Sequence, residues 1–300
     1  MLVLCVFFLY FCSSLFLCRR LVVMEKSKIL YVTQEIDPFL IESEISSLVR
    51  KIAQGVHEAD KEIRIFMPRF GVINERRHQL HEVIRLSGMN LIVNDYDHPL
   101  IIKVASIPQI RIQVYFIDNE EYFKKKFLFK DVKGKYFKDN DERSMFFCRG
   151  VLETVKKLGW MPDIVHCHGW MTALMPVYLK SVYANDPHFS AAKVIYSVYN
   201  RDEKLKFSKN LDAKLEFDEI PISKIDIDGS IGVNKLHEIA VFWSDAIGIC
   251  SPEIDNSLME IIKASKKPLL EHHEEEQTID AHQDFYDRVL SENGVIIFNL

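Results

Sequence analysis

The chain has 300 residues, enough for one large α/β domain or two small ones with hydrophobic cores of their own. Apolar residues make up 48% and charged residues 27%, a balance that excludes a disordered or fibrous protein. The net charge is -5, with lysines and arginines scattered among acidic residues, so no nucleic-acid partner is predicted and a small molecule or carbohydrate is expected.

Residues 1–23 form an apolar leader with an unusual order of charges. Met1–Cys18 is almost entirely apolar, and Arg19 and Arg20 follow it. A secretory signal carries its positive charge first and ends in small residues, so cleavage and export are not expected. Two alternatives stay open: a signal anchor that leaves the body in the cytoplasm, or a chain that starts at Met24. A membrane partner is expected only if the leader is real.

The cysteines of the body indicate a reducing compartment. Cys148, Cys167 and Cys250 show no CxxC pairing and no disulfide-like framework. We therefore expect a cytoplasmic protein.

The body begins with a predicted β-α-β unit. Lys28–Thr33 is a short apolar run typical of a buried parallel strand. Apolar residues recur at helical spacing from Ile41 to Val56, and Glu62–Met67 is the next strand. Further strands are predicted at 91–93, 101–105, 111–117, 164–166, 194–198 and 246–250, and helices at 142–158, 171–182 and 234–244. This alternation predicts one doubly wound α/β domain with a mostly parallel sheet over residues 24–260, with a hairpin-like insertion between 91 and 117.

Residues 261–300 are predicted to follow that domain as a tail. The stretch from Lys263 to Asp284 is polar and rich in His and Glu, which indicates an exposed helix or linker. Val295–Phe298 is a last apolar run that could add a strand.

A series of segments in the body has the residues and the order of a known family. The segments are, in chain order, Lys28–Phe39, Ile63–Gly71, Tyr115–Phe123, Asp139–Cys148, Pro162–Leu174 and Ser244–Glu253. The second ends in Met67-Pro-Arg-Phe-Gly, and the fifth contains the strongest match, His166-Cys-His-Gly-Trp. In this order they resemble the N-terminal catalytic domain of the bacterial-type glycogen and starch synthases.

The resemblance implies a fold and an activity. Enzymes of this family join two Rossmann-like domains around a cleft, the GT-B architecture, and this chain would be the N-terminal half. They transfer glucose from ADP-glucose or UDP-glucose to an α-1,4-glucan, retain the anomeric configuration, and need no metal or cofactor. ADP-glucose is the expected donor. The second domain has no room before Leu300, so a second chain could supply it.

The resemblance also implies site residues at the carboxyl ends of the strands, where open α/β sheets bind ligands. Asp139 would lie beside the reacting glucose and stabilise positive charge at the anomeric carbon. His168 would bond a sugar hydroxyl and Trp170 would pack on a sugar ring, with Asn140 and Asn200 in support. Two interpretations from the residues alone stay open: Asp139 as a helix N-cap and Trp170 as a core residue.

The His-x-His pair has two further interpretations. His166 and His168 share one face of a strand, a pattern that also occurs in metal sites. No third ligand has a convincing spacing, so no metal is predicted. The turn from His166 to Trp170 is expected to open a helix whose N-terminus favours an anionic or hydroxyl-rich ligand.

The donor loop departs from the family pattern. Where the family carries Lys-x-Gly-Gly-Leu, this chain has, in order, Ile41, Glu42, Ser43 and Glu44. Carboxylates near a diphosphate replace attraction with repulsion, and the lost glycines remove a close backbone approach. Gly169 and Tyr199 stand where the family has an aspartate and a histidine. Two hypotheses follow: a glycogen or starch synthase-type glucosyltransferase domain, or a catalytically inactive glucan-binding or regulatory relative.

Overall fold

The computed structural model describes residues 26–41, 43–200, 204–225, 227 and 229–291. The leader, Glu42 of the donor loop and the apolar run at 295–298 lie outside the described residues. The described chain is built on one mixed sheet with helices on it. Its strands are β1 (Lys28–Thr33), β2 (Glu62–Pro68), β3 (His81–Glu82), β4 (Met89–Val93), β5 (Tyr96–Ser106), β6 (Gln113–Asp118), β7 (Ile164–His168), β8 (Lys193–Val198), β9 (Ala246–Ile249) and β10 (Leu269–Leu270).

The helices pack in two groups. They are α1 (Glu44–Glu58), α2 (Glu120–Phe123), α3 (Asn140–Leu158), α4 (Met175–Lys180), α5 (Leu211–Phe217), α6 (Val233–Trp243), α7 (Asn256–Ser265) and α8 (Thr278–Ser291). Helix α1 packs with α8, whereas α3, α4, α6 and α7 contact one another in series. None of these helices is long and apolar enough to cross a membrane.

The strand order confirms the doubly wound prediction. It runs β10-β9-β8-β7-β1-β2-β6-β5-β3, with β4 paired to β5 off this path. All neighbours from β10 to β6 are parallel, and β5 is antiparallel to β6. The chain moves outward from β1 in one direction through β2 and in the other through β7. This reversal beside β1 is the topological switch point at which such sheets bind ligands.

The central strands are apolar because both faces of the sheet are covered. Ile29 to Val32 of β1 and Val165 of β7 have no exposed surface. The insertion is a hairpin, as predicted: β4 pairs antiparallel with β5 from Met89 opposite Leu100. Its turn residues Asn94 and Asp95 have φ of 51° and 66°, the left-handed conformation that two-residue hairpins require and that these residues tolerate.

The tail differs from its prediction as an exposed helix or linker. Helix α8 covers 278–291 and buries Phe285, Tyr286 and Val289. Gly55 of α1 allows the close approach, because a Cβ at that position would lie 2.3 Å from Ile279 Cγ2. The tail is polar on average, but its few apolar residues lie on one side of the helix, which average composition does not show.

The helix predicted at 171–182 is also different. A 3-10 turn covers Trp170–Thr172, and α4 begins only at Met175, with Pro176 in its first turn. Strand β7 in turn continues to His168. The His-x-His pair therefore lies within a strand, and no α-helix N-terminus follows it directly.

Candidate functional site

His168 is the last residue of β7, between the ends of β1 and β8. It pairs in register with Thr33 and Ser197 and has no exposed surface. Its Nδ1 lies 2.7 Å from the Tyr199 hydroxyl, while Nε2 has no hydrogen-bond partner in the described part of the chain. Burial lowers the pKa of His168 well below its ordinary value, so the ring is neutral at pH 7.

A neutral imidazole offers one donor and one acceptor. If Tyr199 donates to Nδ1 of His168, then Nε2 carries the proton and donates; in the other tautomer Nε2 accepts. A hydroxyl group can act as donor or acceptor, so it suits Nε2 in either case. Nε2 is thus an unsatisfied polar atom at the carboxyl edge of the sheet, and because His168 has no exposed surface, contact with a sugar hydroxyl would require the residues that cover it to move.

His166, two residues earlier, has both of its nitrogens satisfied. Nδ1 lies 2.7 Å from the Tyr286 hydroxyl and Nε2 lies 2.7 Å from Ser197 Oγ. Tyr31 extends the network, because its hydroxyl is 3.1 Å from that of Tyr286. The rings of His166 and His168 are 4.0 Å apart. No group of three metal-ligating side chains is present in the described residues.

Gly169 has a conformation that an aspartate would not adopt without strain. Its φ is 86° and its ψ is 160°, a region populated almost only by glycine. A Cβ there would lie 2.4 Å from Cδ of Gln34, whose Oε1 accepts from the Met171 N–H at 3.4 Å. An aspartate at 169 would therefore strain this loop, which is packed against Gln34.

Trp170 is a core residue in this structure. Only 2% of it is exposed, and its ring makes edge contacts with Phe129 and Phe207 at centroid distances of 5.0 and 5.9 Å. Its ring is covered by side chains of the protein, so the proposed stacking on a sugar would require this loop to open. The apolar neighbours of Trp170 come from distant segments, which sequence spacing alone did not predict.

Asp139 occupies the N-cap position of α3 but makes no capping hydrogen bond with its side chain. Its Oδ2 lies 2.5 Å from Nζ of Lys125, and the side chain is 28% exposed. The carboxylate is thus held by an ammonium group in a partly open position. Lys125 was missed in the sequence, although the run Lys124 to Lys126 was a visible signal.

Asn140 has a structural role in the described part of the chain. Its amide donates to the Phe129 carbonyl at 3.0 Å, its Oδ1 accepts from Arg143 at 2.6 Å, and only 1% of the residue is exposed. A contact between Asn140 and substrate, as the resemblance implied, would have to replace these bonds. The residue instead fixes the loop at 129 to the start of α3.

Arg143 lies buried among aromatic rings. Its guanidinium is 5.5 to 5.6 Å from the ring centroids of Phe70, Phe123 and Phe137. Burial lowers the pKa of Arg143 to about 10, with the Asp139 charge acting in the opposite direction. The group is therefore still cationic at neutral pH, and its Nε and Nη2 have no hydrogen-bond partner in the described residues.

The donor-loop residues begin helix α1. Ser43 Oγ accepts from the Ser46 N–H at 3.1 Å as the N-cap, and Glu44 lies in the first turn. Glu44 Oε2 also accepts from Ser251 Oγ at 3.0 Å, at the end of β9. Ile41 is 70% exposed. A carboxylate thus occupies the positive end of a helix, a position that in general also favours phosphate.

Asn200 follows β8 at the same edge, and its side chain is exposed. Its backbone N–H donates to Ser251 Oγ at 3.0 Å. Ser251 therefore joins the loops after β1, β8 and β9. The structure brings His168, Glu44 and Asn200 to the carboxyl edge, while Trp170 and Asn140 lie beneath it.

Comparison with known proteins identifies the family of this chain. Residues 28–270 match the starch synthase catalytic domain family. The chain belongs to this family. The match includes the sheet from β1 to β10 and the predicted site residues between Ile41 and Asn200.

Curated relatives of the family match part of the chain. The glycogen synthase of Chlorobium limicola is 44% identical over 174 residues, which is 58% of this chain and 36% of that protein. The glycogen synthase of Pelodictyon phaeoclathratiforme is 41% identical over 174 residues, again 58% of this chain and 36% of that protein. This chain thus aligns with about a third of the length of these relatives.

A solved structure shows the same fold. The catalytic domain of starch synthase IV from Arabidopsis thaliana, bound to ADP and acarbose, superposes with a TM-score of 0.68 at 15% identity. The superposition covers 82% of this chain and 51% of that one. The predicted Rossmann-like, GT-B-type domain is therefore confirmed.

Proposed function

We propose that this chain binds an α-glucan at the carboxyl edge of its sheet, as part of a glycogen or starch synthase-type glucosyltransferase. The reaction is transfer of glucose from a nucleotide-glucose to an α-1,4-glucan with retention. ADP-glucose is the proposed donor, following the family resemblance. The rest of the relatives' length would complete the cleft, in the same polypeptide or in a second chain.

The observation that carries the proposal is the unpaired Nε2 of His168. This nitrogen is buried, belongs to a neutral ring and lies at the topological switch point. A buried polar atom without a hydrogen bond costs about 1–3 kcal/mol unless a ligand supplies the missing partner. Glu44 and Asn200 lie at the same edge and add polar groups that can bond hydroxyls. Such a set of neutral and acidic groups suits a carbohydrate.

Asp139 is the proposed catalytic residue. A carboxylate near the anomeric carbon would stabilise positive charge as the glycosidic bond of the donor breaks. Its ion pair with Lys125 holds it in a defined position before substrate binds. No metal or other cofactor is part of the proposal.

A second candidate function is supported by the start of α1. Glu44 occupies the helix end where a diphosphate would be received, and the lysine and glycines of the family loop are replaced. A protein that binds glucan without transferring glucose, as a binding or regulatory relative, fits this loop better. We propose a cytoplasmic location for either function, and the free thiols of Cys148, Cys167 and Cys250 support it.

Glycogen binding is the first test. We expect the purified chain to be retarded in native gels that contain glycogen, and His168→Ala to weaken the interaction about tenfold, the equivalent of one buried hydrogen bond. Equal retardation of both proteins would remove His168 from the site. Loss of retardation in the parent chain would contradict both candidate functions.

Incorporation of labelled glucose from ADP-glucose or UDP-glucose into glycogen separates the two candidates. Asp139→Asn is the matched control, since it removes the charge and keeps the shape. Incorporation that disappears in this variant supports the transferase. Glycogen binding without incorporation in either protein supports the binding relative.

A further inference from the structure

A pocket away from His168 is lined almost entirely by lysine and aromatic side chains. It has a volume of about 580 Å³, and its lysines are Lys130, Lys135, Lys138, Lys204 and Lys206. The described residues that line it include no acid. This clustering differs from the even distribution of charge that the sequence suggested, because two segments about 70 residues apart in sequence meet in the fold.

The first wall of the pocket is a short basic hairpin. Residues 122–138 contain seven lysines and a single acid, Asp131, in a chain whose net charge is -5. Asp131 Oδ1 accepts from the backbone N–H groups of Lys133 and Lys135 at 2.8 and 2.9 Å, so its carboxylate shapes the turn. The bridge between Lys130 and Tyr136 closes the hairpin.

The second wall is held just as firmly by backbone bonds. Lys206 forms a bridge with Gly232, and the Phe207 N–H donates to the Ile231 carbonyl at 2.9 Å. Both walls are therefore ordered before any ligand binds, which reduces the entropy lost on binding.

The ammonium groups of the pocket are available to an anion. None of its five lysines forms an ion pair with a carboxylate in the described residues, whereas nearby Lys125 and Lys214 are paired with Asp139 and Asp141. Lys130 Nζ lies 4.4 Å from the centre of the Tyr136 ring, a cation–π contact that positions it. Like charges gathered in one concavity raise the local concentration of anions.

The pocket is connected to the candidate site through Trp170. Phe129 directly precedes Lys130, Phe207 directly follows Lys206, and both rings contact Trp170 in the loop after His168. The lysine walls are thus one residue away from side chains that pack on the loop after His168, which places the pocket near the candidate site.

We propose that this pocket binds phosphate groups carried by an α-glucan, that is, a glucan bearing phosphomonoesters. Lysine is a point-charge ligand for phosphate, and a volume of about 580 Å³ accommodates a phosphorylated sugar unit. The phosphate preference stands on the lysines alone. The glucan as carrier rests on the proposed function.

The test compares one glucan with and without its phosphate. Affinity electrophoresis of the full chain is run in phosphorylated amylopectin and in the same amylopectin after phosphatase treatment, at low and at 0.5 M salt, where the Debye length falls to about 4 Å. We expect about fivefold tighter binding to the phosphorylated form at low salt, the size expected for two exposed charge pairs, and little difference at high salt.

Variants assign that difference to the pocket. Lys135→Gln with Lys206→Gln removes one exposed lysine from each wall and is expected to abolish the phosphate effect. Lys224→Gln with Lys263→Gln removes two exposed lysines elsewhere and is expected to keep it. Thermal melts that match the parent show that all variants are folded. A phosphate effect that survives in the first pair, or equal binding of both glucans by the parent, overturns the proposal.

Two further results separate this inference from the proposed function. Binding of the dephosphorylated glucan tests the site at His168, and only the increment due to phosphate tests the pocket. Glucose 6-phosphate and pyrophosphate are added as competitors, and we expect neither to displace the phosphorylated glucan below millimolar concentration. Displacement at micromolar concentration would overturn the glucan as carrier and leave a small phosphate compound as the ligand.

Discussion

His166 and His168 lie on the same face of one strand, with their rings 4.0 Å apart, yet their surroundings differ in one respect. Both nitrogens of His166 are bonded within the protein, and one nitrogen of His168 is not. Burial is complete for both, and the pKa of each is lowered well below its ordinary value. Burial and pKa therefore do not distinguish the two histidines. Only their hydrogen bonds separate His166 from His168, the proposed binding residue.

The largest expected effect comes from acid, which acts on both histidines together. Burial lowers the pKa of His166 and His168, and that of neighbouring His282 to about 4, so the unfolded chain takes up protons first. Stability is then fully present above about pH 6.5 and is lost as the pH falls toward 4. His282 alone would account for a loss of about 3 kcal/mol.

Urea unfolding between pH 7.5 and 4.5 checks this prediction. We expect the midpoint to fall steadily below pH 6.5, and His282→Gln to reduce the slope. His57→Gln, at an exposed position at the end of α1, is the matched control and should keep the parent slope. A midpoint that stays constant from pH 6.5 to 5 would contradict the idea that these histidines are buried in the neutral form.

Replacing each histidine with alanine separates their structural roles. His166→Ala removes two buried hydrogen bonds, leaving the Tyr286 hydroxyl only its contact with Tyr31 and the Ser197 hydroxyl only its contact with Cys250. It should lower the free energy of unfolding by about 3 kcal/mol. His168→Ala removes a single hydrogen bond, the one with Tyr199, and should cost about 1–2 kcal/mol. Urea unfolding measures both. The contrast is lost if the second variant is as unstable as the first and still binds glycogen like the parent.

The smallest effect is expected from removing the hydroxyl partners. Tyr286→Phe should destabilise by about 1–2 kcal/mol and leave glycogen binding unchanged, because it acts on the satisfied network. Tyr199→Phe should cost about 1 kcal/mol but weaken glycogen binding a few-fold, since Nδ1 of His168 loses the group that orients the ring. Titration of both variants with glycogen provides the measurement. Weaker binding by Tyr286→Phe and unchanged binding by Tyr199→Phe would assign the site to His166 and contradict the proposed role of His168.

The fold was predictable because its signals are local. Short apolar runs such as Lys28–Thr33 and the helical spacing after Ile45 each specify an element, and the switch in direction beside β1 follows from the connections. The family motifs lie at the carboxyl edge of that sheet, where the site is proposed. Their contacts were less predictable: the roles of Trp170 and Asn140 depend on Phe129 and Phe207, which come from segments far apart in sequence.

In two other regions, the tail and the lysine pocket, the structure differs from the sequence-based prediction for a similar reason. The tail composition is polar on average, but averages do not show that Phe285 and Tyr286 fall on the side that meets α1. The lysine pocket needs the hairpin at 130–138 and the segment at 204–206 to meet, and net charge contains no information about such a meeting. Long-range proximity, and not residue type, is what the sequence leaves out in both cases.

The contact between Gln34 and Gly169 limits how this chain can vary. An aspartate at 169 would have to take a backbone conformation that favours glycine, with its Cβ in the space of the Gln34 side chain. A single exchange at 169 would therefore be disfavoured until position 34 held a smaller residue. The two positions are expected to covary: relatives with aspartate at the first should carry a short side chain at the second. The order of substitutions in this lineage would then have been constrained by one van der Waals contact.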